Sequence, residues 1–164
     1  MATKDFSSKQ EKMVADLLGW SVVAGSGAAA CYPGDIISDD WLGECKTHVE
    51  SGKKIFFSKS VWNKICDEAS VKRRFPVLFV DDGSQRSDRT WCLFKKNRLD
   101  LDECACYPLP IRKATNITFE HHEMKKTYDE YKEKCAIVPA FSYTWDKDEV
   151  AILPLSVFID LFRE

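Results

Sequence analysis

What this 164-residue chain lacks narrows its roles first. It has no apolar run approaching the roughly 20 residues that a membrane-spanning helix needs. Its opening residues, Met1 to Phe6, hold no apolar segment of the secretion-signal kind. Internal repeats, low-complexity tracts and Pro- or Ser-rich linkers are missing, so one domain over residues 1–164 is expected, without a membrane. An excess of basic charge is missing too. The formal net charge is −2, which gives no whole-chain signature of a nucleic-acid binder.

What is present describes a globular protein with a real core: 45% hydrophobic and 30% charged residues. The seven cysteines are an odd number, and with no secretion signal they are expected as reduced thiols in a cytosol. Charge is uneven along the chain. Residues 1–80 carry eleven Lys and Arg against ten Asp and Glu, and residues 81–164 carry thirteen against sixteen. Glu11, Asp35 and Glu44 are among the ten acids of the first half. A bound Mg²⁺ would offset two of those charges and leave that half locally positive.

The patterning mixes helices and strands, which places the fold in the α/β (α+β) class, a sheet with helices packed on it. A helix is expected from about Ser8 to Leu18, with Met13, Val14, Leu17 and Leu18 as its apolar stripe and Gly19 as its stop. Trp20 to Ala24 reads as a short strand. Asp35 to Ser38 and Trp41 to Val49 read as two strands joined at Asp39-Asp40. Ser58 caps a second helix with Val61, Trp62, Ile65 and Ala69 on one face, closed by the cations Lys72 to Arg74. Pro76 to Asp81 and Thr90 to Phe94 follow as strands. Beyond Asn97 the expected elements are a strand at Ile117 to Phe119, a helix at Glu120 to Lys134, a hairpin around Asp146 to Asp148, and a last helix from Pro154. The core is expected over about 8–96, with a C-terminal elaboration over about 97–164.

The chemistry-bearing pattern is Pro33-Gly34-Asp35 followed by Glu44-Cys45-Lys46. Residues two apart on a strand share a face, so Glu44 and Lys46 lie together with Leu42 and His48. A turn centred on Asp39-Asp40 opposes Ser38 to Trp41, Ile37 to Leu42, Ile36 to Gly43 and Asp35 to Glu44. Directly opposed Cβ atoms are about 4.5–5.5 Å apart, and two carboxylates that close repel unless a cation lies between them. Oxygen ligands suit Mg²⁺ or Mn²⁺. Asp35 and Glu44 are the candidate ligands, with the main-chain carbonyl of Cys45 as a third, and Lys46 is placed to orient water or stabilise charge on a phosphorane. The plain alternative is a surface hairpin with solvated charges.

Three neighbours bear on the choice. Glu11 borders the buried side of the first helix; its plain alternative is a capping box, Ser8-x-x-Glu11. Gly25-Ser26-Gly27 offers backbone amides and the Ser26 hydroxyl to a phosphate, or is a simple strand-exit loop. Lys53, Lys54, Lys59 and Lys64 form a cluster suited to successive backbone phosphates, or a solvated helix face.

Taken in order, helix-borne Glu11, Gly25-Ser26-Gly27, Pro33-Gly34-Asp35, Glu44-Cys45-Lys46, a helix, and the run Pro76 to Val80 resemble the PD-(D/E)xK nuclease superfamily. Within it the order is most similar to Holliday-junction resolvase-like endonucleases, phage-type members included; the stretch Ser58 to Ile65 with Glu68-Ala69 shares that likeness. The resemblance covers roughly residues 8–82. It departs from the pattern where Gly34 separates the proline from the aspartate. It implies a central mixed β-sheet flanked by helices with a restriction-endonuclease-like core. It also implies Mg²⁺- or Mn²⁺-dependent hydrolysis of branched or structured DNA, a homodimer, and residence in a bacterial or phage-infected host cytoplasm. By position Asp35 and Glu44 are then metal ligands, Lys46 the catalytic lysine and Glu11 a further acid near the metal. The alternatives are a restriction- or repair-type nuclease of the same fold, or a non-catalytic DNA-binding or assembly protein that keeps the fold.

Cys104-x-Cys106 with His121-His122 lacks the spacing of a structural zinc site. The remaining cysteines read as small buried residues, and Trp62 and Trp91 as core.

Overall fold

The computed structural model describes residues 3–23 and 34–163. Helix α1 (Thr3–Leu18) buries Gln10, Val14, Ala15 and Leu18 and ends where Gly19 takes a φ of +76°. It starts earlier than the sequence suggests, and Leu17 points to solvent while Ala15 takes the buried place. Strand β1 (Ser21–Val22) pairs antiparallel with β2 (Ile36–Ile37), and β2 pairs antiparallel with β3 (Trp41–Lys46). The short strand β4 (Ile55–Phe57) leads into α2 (Lys59–Lys72). Ser58 caps this helix as expected, its Oγ accepting from the amide of Val61, and Arg73 closes it with a left-handed φ of 55°. Strand β5 (Phe75–Val80) then runs parallel to β3, and β6 (Trp91–Lys95) antiparallel to β5. The continuous apolar run of β5 is what a strand covered on both faces requires.

The second half supplies β7 (Cys104–Pro108), β8 (Ile117–Phe119), α3 (His121–Lys134), the hairpin β9 (Val138–Trp145) and β10 (Asp148–Pro154), and α4 (Leu155–Phe162). The hairpin turns through Asp146, whose φ of 54° suits a tight two-residue loop. Among the described residues eight strands form one mixed sheet in the order β1-β2-β3-β5-β6-β10-β9-β7, and β4 pairs with β8 in a second, two-stranded sheet. The antiparallel β6–β10 pair carries the sheet across residue 97, so the two halves share one set of strands. Strand β7, parallel to β9 at the sheet edge, has no counterpart in the sequence reading.

Helices α1 and α4 cover one face of the sheet, where Trp20, Trp41, Phe79, Phe94 and Phe158 pack edge to face and stacked. Helices α2 and α3 cover the other, with Trp62 and Trp91 fully buried as expected. Trp91 donates from Nε1 to Nδ1 of His121 (3.0 Å), so this histidine serves the core. Among the described residues six cysteines are free thiols, and no helix is long and apolar enough to cross a membrane.

Candidate functional site at the α1, β2 and β3 corner

Strand alternation puts Trp41, Gly43 and Cys45 of β3 toward the aromatic layer and Leu42, Glu44 and Lys46 toward α2. Lys46 Nζ lies 3.4 Å from Glu44 Oε1; the Glu44 side chain is 13% exposed and that of Lys46 52%. The acid is therefore enclosed and the ammonium reaches water.

The expected hairpin register holds at Ile36, opposite Gly43, and Ile37, opposite Leu42. It changes at Asp35. The Asp35 amide donates to the carbonyl of Gly43 (2.8 Å), the residue that Ile36 already opposes, so two residues meet one as in a β-bulge. Asp35 thus does not sit squarely across from Glu44. Its Oδ2 accepts from the amide of Cys45 (2.8 Å), one residue further along β3. The cause is local: Gly34 enters the strand at φ +69°, a conformation that side chains disfavour. Gly43 makes the close pairing possible, since a Cβ there would meet Phe79 at 2.8 Å and Ile36 at 2.9 Å.

Glu11 joins this corner. Ser8 lies inside α1 and is not its N-cap, which removes the capping box as an account of Glu11. Burial, then the charges of Asp35 and Glu44, then a hydrogen bond with Asp35 push the Glu11 carboxyl from 4.5 up to about 7, against the pull of Lys46. Burial and the Asp35 charge push Glu44 up to about 7 as well, against Lys46 and, more weakly, Lys64. Glu11, Asp35, Glu44 and Lys46 therefore feel one another, and excess negative charge collects in a partly desolvated place.

Two residues to which the sequence reading gave no role at the site hold the corner together. Gln10, fully buried, donates from Nε2 to the Lys46 carbonyl (2.7 Å) and ties α1 to β3. Among the described residues its Oε1 is buried without a partner. The signal was available: Gln10 stands four residues before Val14 and eight before Leu18, on the buried stripe. Glu68 of α2 accepts from the amide of Gly34 (2.7 Å), next to Asp35, and also pairs with Lys64 (3.7 Å). In the sequence Lys64 and Glu68 look like an ordinary i,i+4 pair, with nothing to point to Gly34.

Among the described residues no three His, Cys, Asp or Glu side chains stand together as a ready metal-holding group. The donors of the corner still fit a hard divalent cation by chemistry. Asp35 and Glu44 offer carboxylate oxygens. In an extended strand a residue's N–H and C=O point to the same side, so the Cys45 carbonyl faces the Asp35 side, as its amide does. A cation would also relieve the repulsion that, after burial, helps to raise Glu11 and Glu44. Such sites take one or two carboxylates with water and phosphate making up the rest.

The expected phosphate contacts divide. Lys53 and Lys64 are exposed, each paired with one neighbouring acid, Glu50 and Glu68. Lys54 is exposed, and its carbonyl meets Nε2 of His48 (3.1 Å). Lys59 is a correction: its ammonium is turned into the protein, 3.2 Å from the Trp145 carbonyl and 3.4 Å from Asp148, so it is not presented to a phosphate. Ser26 and its glycine neighbours, with Pro33, lie outside the described residues. No family model, curated protein or solved structure matches this chain.

Proposed function

We propose that this chain is a metal-dependent endodeoxyribonuclease of the PD-(D/E)xK type with a restriction-endonuclease-like core, acting on branched or otherwise structured DNA. The observation that carries the reading is the pairing of Glu44 with the half-exposed Lys46 ammonium (3.4 Å) on the strand whose Cys45 amide holds the Asp35 carboxylate (2.8 Å), with Glu11 hydrogen-bonded to Asp35. The order of elements supports it: a helix with Glu11, a hairpin with Asp35 and Glu44-x-Lys46, helix α2, then the buried strand β5 parallel to β3.

Mg²⁺ or Mn²⁺, when bound, supplies charge neutralisation and a Lewis acid for a phosphate oxygen. Asp35 and Glu44 would hold the ion, with the Cys45 carbonyl beside them. The chain's own groups do the rest. The Cys45 amide fixes the Asp35 carboxylate, and Glu68 fixes the turn before it. Lys46, half exposed, directs its ammonium at the attacking water or at the charge that builds on the phosphorane. Glu11, whose carboxyl burial and the neighbouring acids push up to about 7, is suited in its ionised form to take up a proton close to the reacting centre. A homodimer would let two such corners cut two strands together.

The test is incubation of four-way junction, flap, duplex and single-stranded DNA with the purified protein in Mg²⁺, Mn²⁺ or EDTA. The expected result is cutting of the junction or flap in either metal and none in EDTA. Preference for plain duplex would favour the restriction- or repair-type alternative. Binding without cutting in both metals would favour the non-catalytic one.

A further inference from the structure

Beside Lys46, on the α2 side of the sheet, lies a pocket of about 320 Å³. It is lined by Lys46, Thr47, His48, Phe56, Ser58, Val61, Leu78 and Val80. Its floor is apolar, made by the buried side chains of Leu78 and Val80 on β5. Phe56 stands at its wall and is 41% exposed, although Ile55 and Phe57 on either side are fully buried. Strand alternation thus commits an aromatic ring to this wall and spares it from the core. Thr47, His48 and Ser58 bring polar groups, and among the described residues none that lines the pocket is acidic. A small apolar pocket with a few polar groups and one open aromatic is the environment of a flat heteroaromatic ligand.

Lys46 lines this pocket and also belongs to the carboxylate corner. Whatever phosphate is held at Lys46 therefore has the pocket directly at its side. We infer that the pocket receives an unstacked base of the DNA strand being cut, with Phe56 as its stacking surface. The inference rests on the nuclease reading and sharpens its substrate class. A base paired inside a duplex cannot enter, so the strand at the cut must be single, branched or locally opened. The ring is sequence-tolerant because every base has a π-face.

The test compares binding of a thymidine oligonucleotide with an abasic oligonucleotide of equal length and charge, in EDTA so that nothing is cut. Wild type is expected to bind the thymidine oligomer more tightly. Phe56→Ala and Phe56→Leu should each lose about tenfold on it, as loss of base–aromatic stacking predicts, and nothing on the abasic oligomer. Phe56→Trp should restore the difference. The leucine variant preserves apolar volume, so it reads out the ring even if the alanine variant folds poorly. Equal wild-type affinity for both oligomers, or equal losses on both, overturns the inference. If Mg²⁺-dependent cutting persists in that case, the nuclease reading stands alone. Absence of all binding and all cutting overturns both.

Discussion

Lys46 and Lys59 are thirteen residues apart and the fold treats them in opposite ways. The Lys59 side chain is 13% exposed, and its ammonium faces Asp148 (3.4 Å), Asp146 (3.8 Å), the Trp145 carbonyl (3.2 Å) and the Trp145 ring (4.9 Å). Trp62 donates to the same Asp148 oxygen (3.1 Å), so this cation locks α2 to the β9–β10 turn. Lys46 ends its strand half exposed, beside a carboxyl that burial and Asp35 push up to about 7. One lysine is surrounded by groups that satisfy it. The other sits where negative charge is in excess and water has access. Acids show the same contrast. Asp82 is burdened by burial, yet hydrogen bonds from Ser84 and Arg89 hold it below its ordinary range, while Glu11 and Glu44 are left raised. A satisfied ion pair is architecture; carboxyls left raised beside a half-exposed ammonium are what the proposed site rests on.

The largest effect should separate the two lysines by function. Lys46→Ala is expected to lower metal-dependent DNA cutting on the order of 10³-fold, while DNA affinity changes only a few-fold. Asp35→Asn should do the same. Single-turnover cleavage with a parallel gel-shift measures both; unchanged cutting would remove these residues from the mechanism. Lys59→Ala should act on stability instead. Because Asp148 and Asp146 keep access to water (38% and 79% exposed), removing the enclosed ammonium costs about 1–2 kcal/mol, a fall in melting temperature of about 2–8 °C for a chain this size. Its cutting rate per folded molecule should match wild type.

The next effect concerns placement. Glu68→Ala frees the Gly34 amide next to Asp35. Cutting is expected to fall about tenfold, with added Mn²⁺ recovering part of it because the ligands themselves are intact. A loss that no metal concentration changes would assign Glu68 to stability alone.

These contrasts show what the sequence could and could not carry. The hairpin register was legible at Ile36 and Ile37 because a period of two and a short turn leave few alternatives. The shift at Asp35 was not, since it depends on the left-handed backbone of Gly34 and on the Cys45 amide across the hairpin. Helix α2 was legible from Ser58 and its apolar face. The fate of Lys59 was not, because its partners lie 87 to 89 residues away at Asp146 and Asp148. Lysines in a row look alike until tertiary structure selects among them. Strand β7 went unseen because Cys104 to Pro108 shows no clear alternation and gains its place only by pairing with β9.

The smallest effects are in pH and melting temperature. Glu11 and Glu44 bind protons more tightly folded than unfolded, so their contribution to stability is present below about pH 4.5 and is lost as pH rises through about 7. A divalent ion held by Asp35 and Glu44 needs Glu44 deprotonated and should reverse the Glu44 share of that loss. Added Mg²⁺ is therefore expected to raise the melting temperature at pH 8 and to leave it unchanged at pH 5.5; equal shifts at both would disconnect the ion from these carboxyls. Glu44→Gln should raise the metal-free melting temperature at pH 8 by about 2–4 °C, on the order of 1 kcal/mol, and abolish the Mg²⁺ shift.

The most direct measurement is a Mn²⁺ titration followed by electron paramagnetic resonance at pH 8, on wild type and on Asp35→Asn. The account predicts that wild type removes Mn²⁺ from the free signal with saturable stoichiometry, and that Asp35→Asn weakens this at least tenfold. Equal Mn²⁺ binding by the two proteins, or none by wild type with or without DNA, would contradict it.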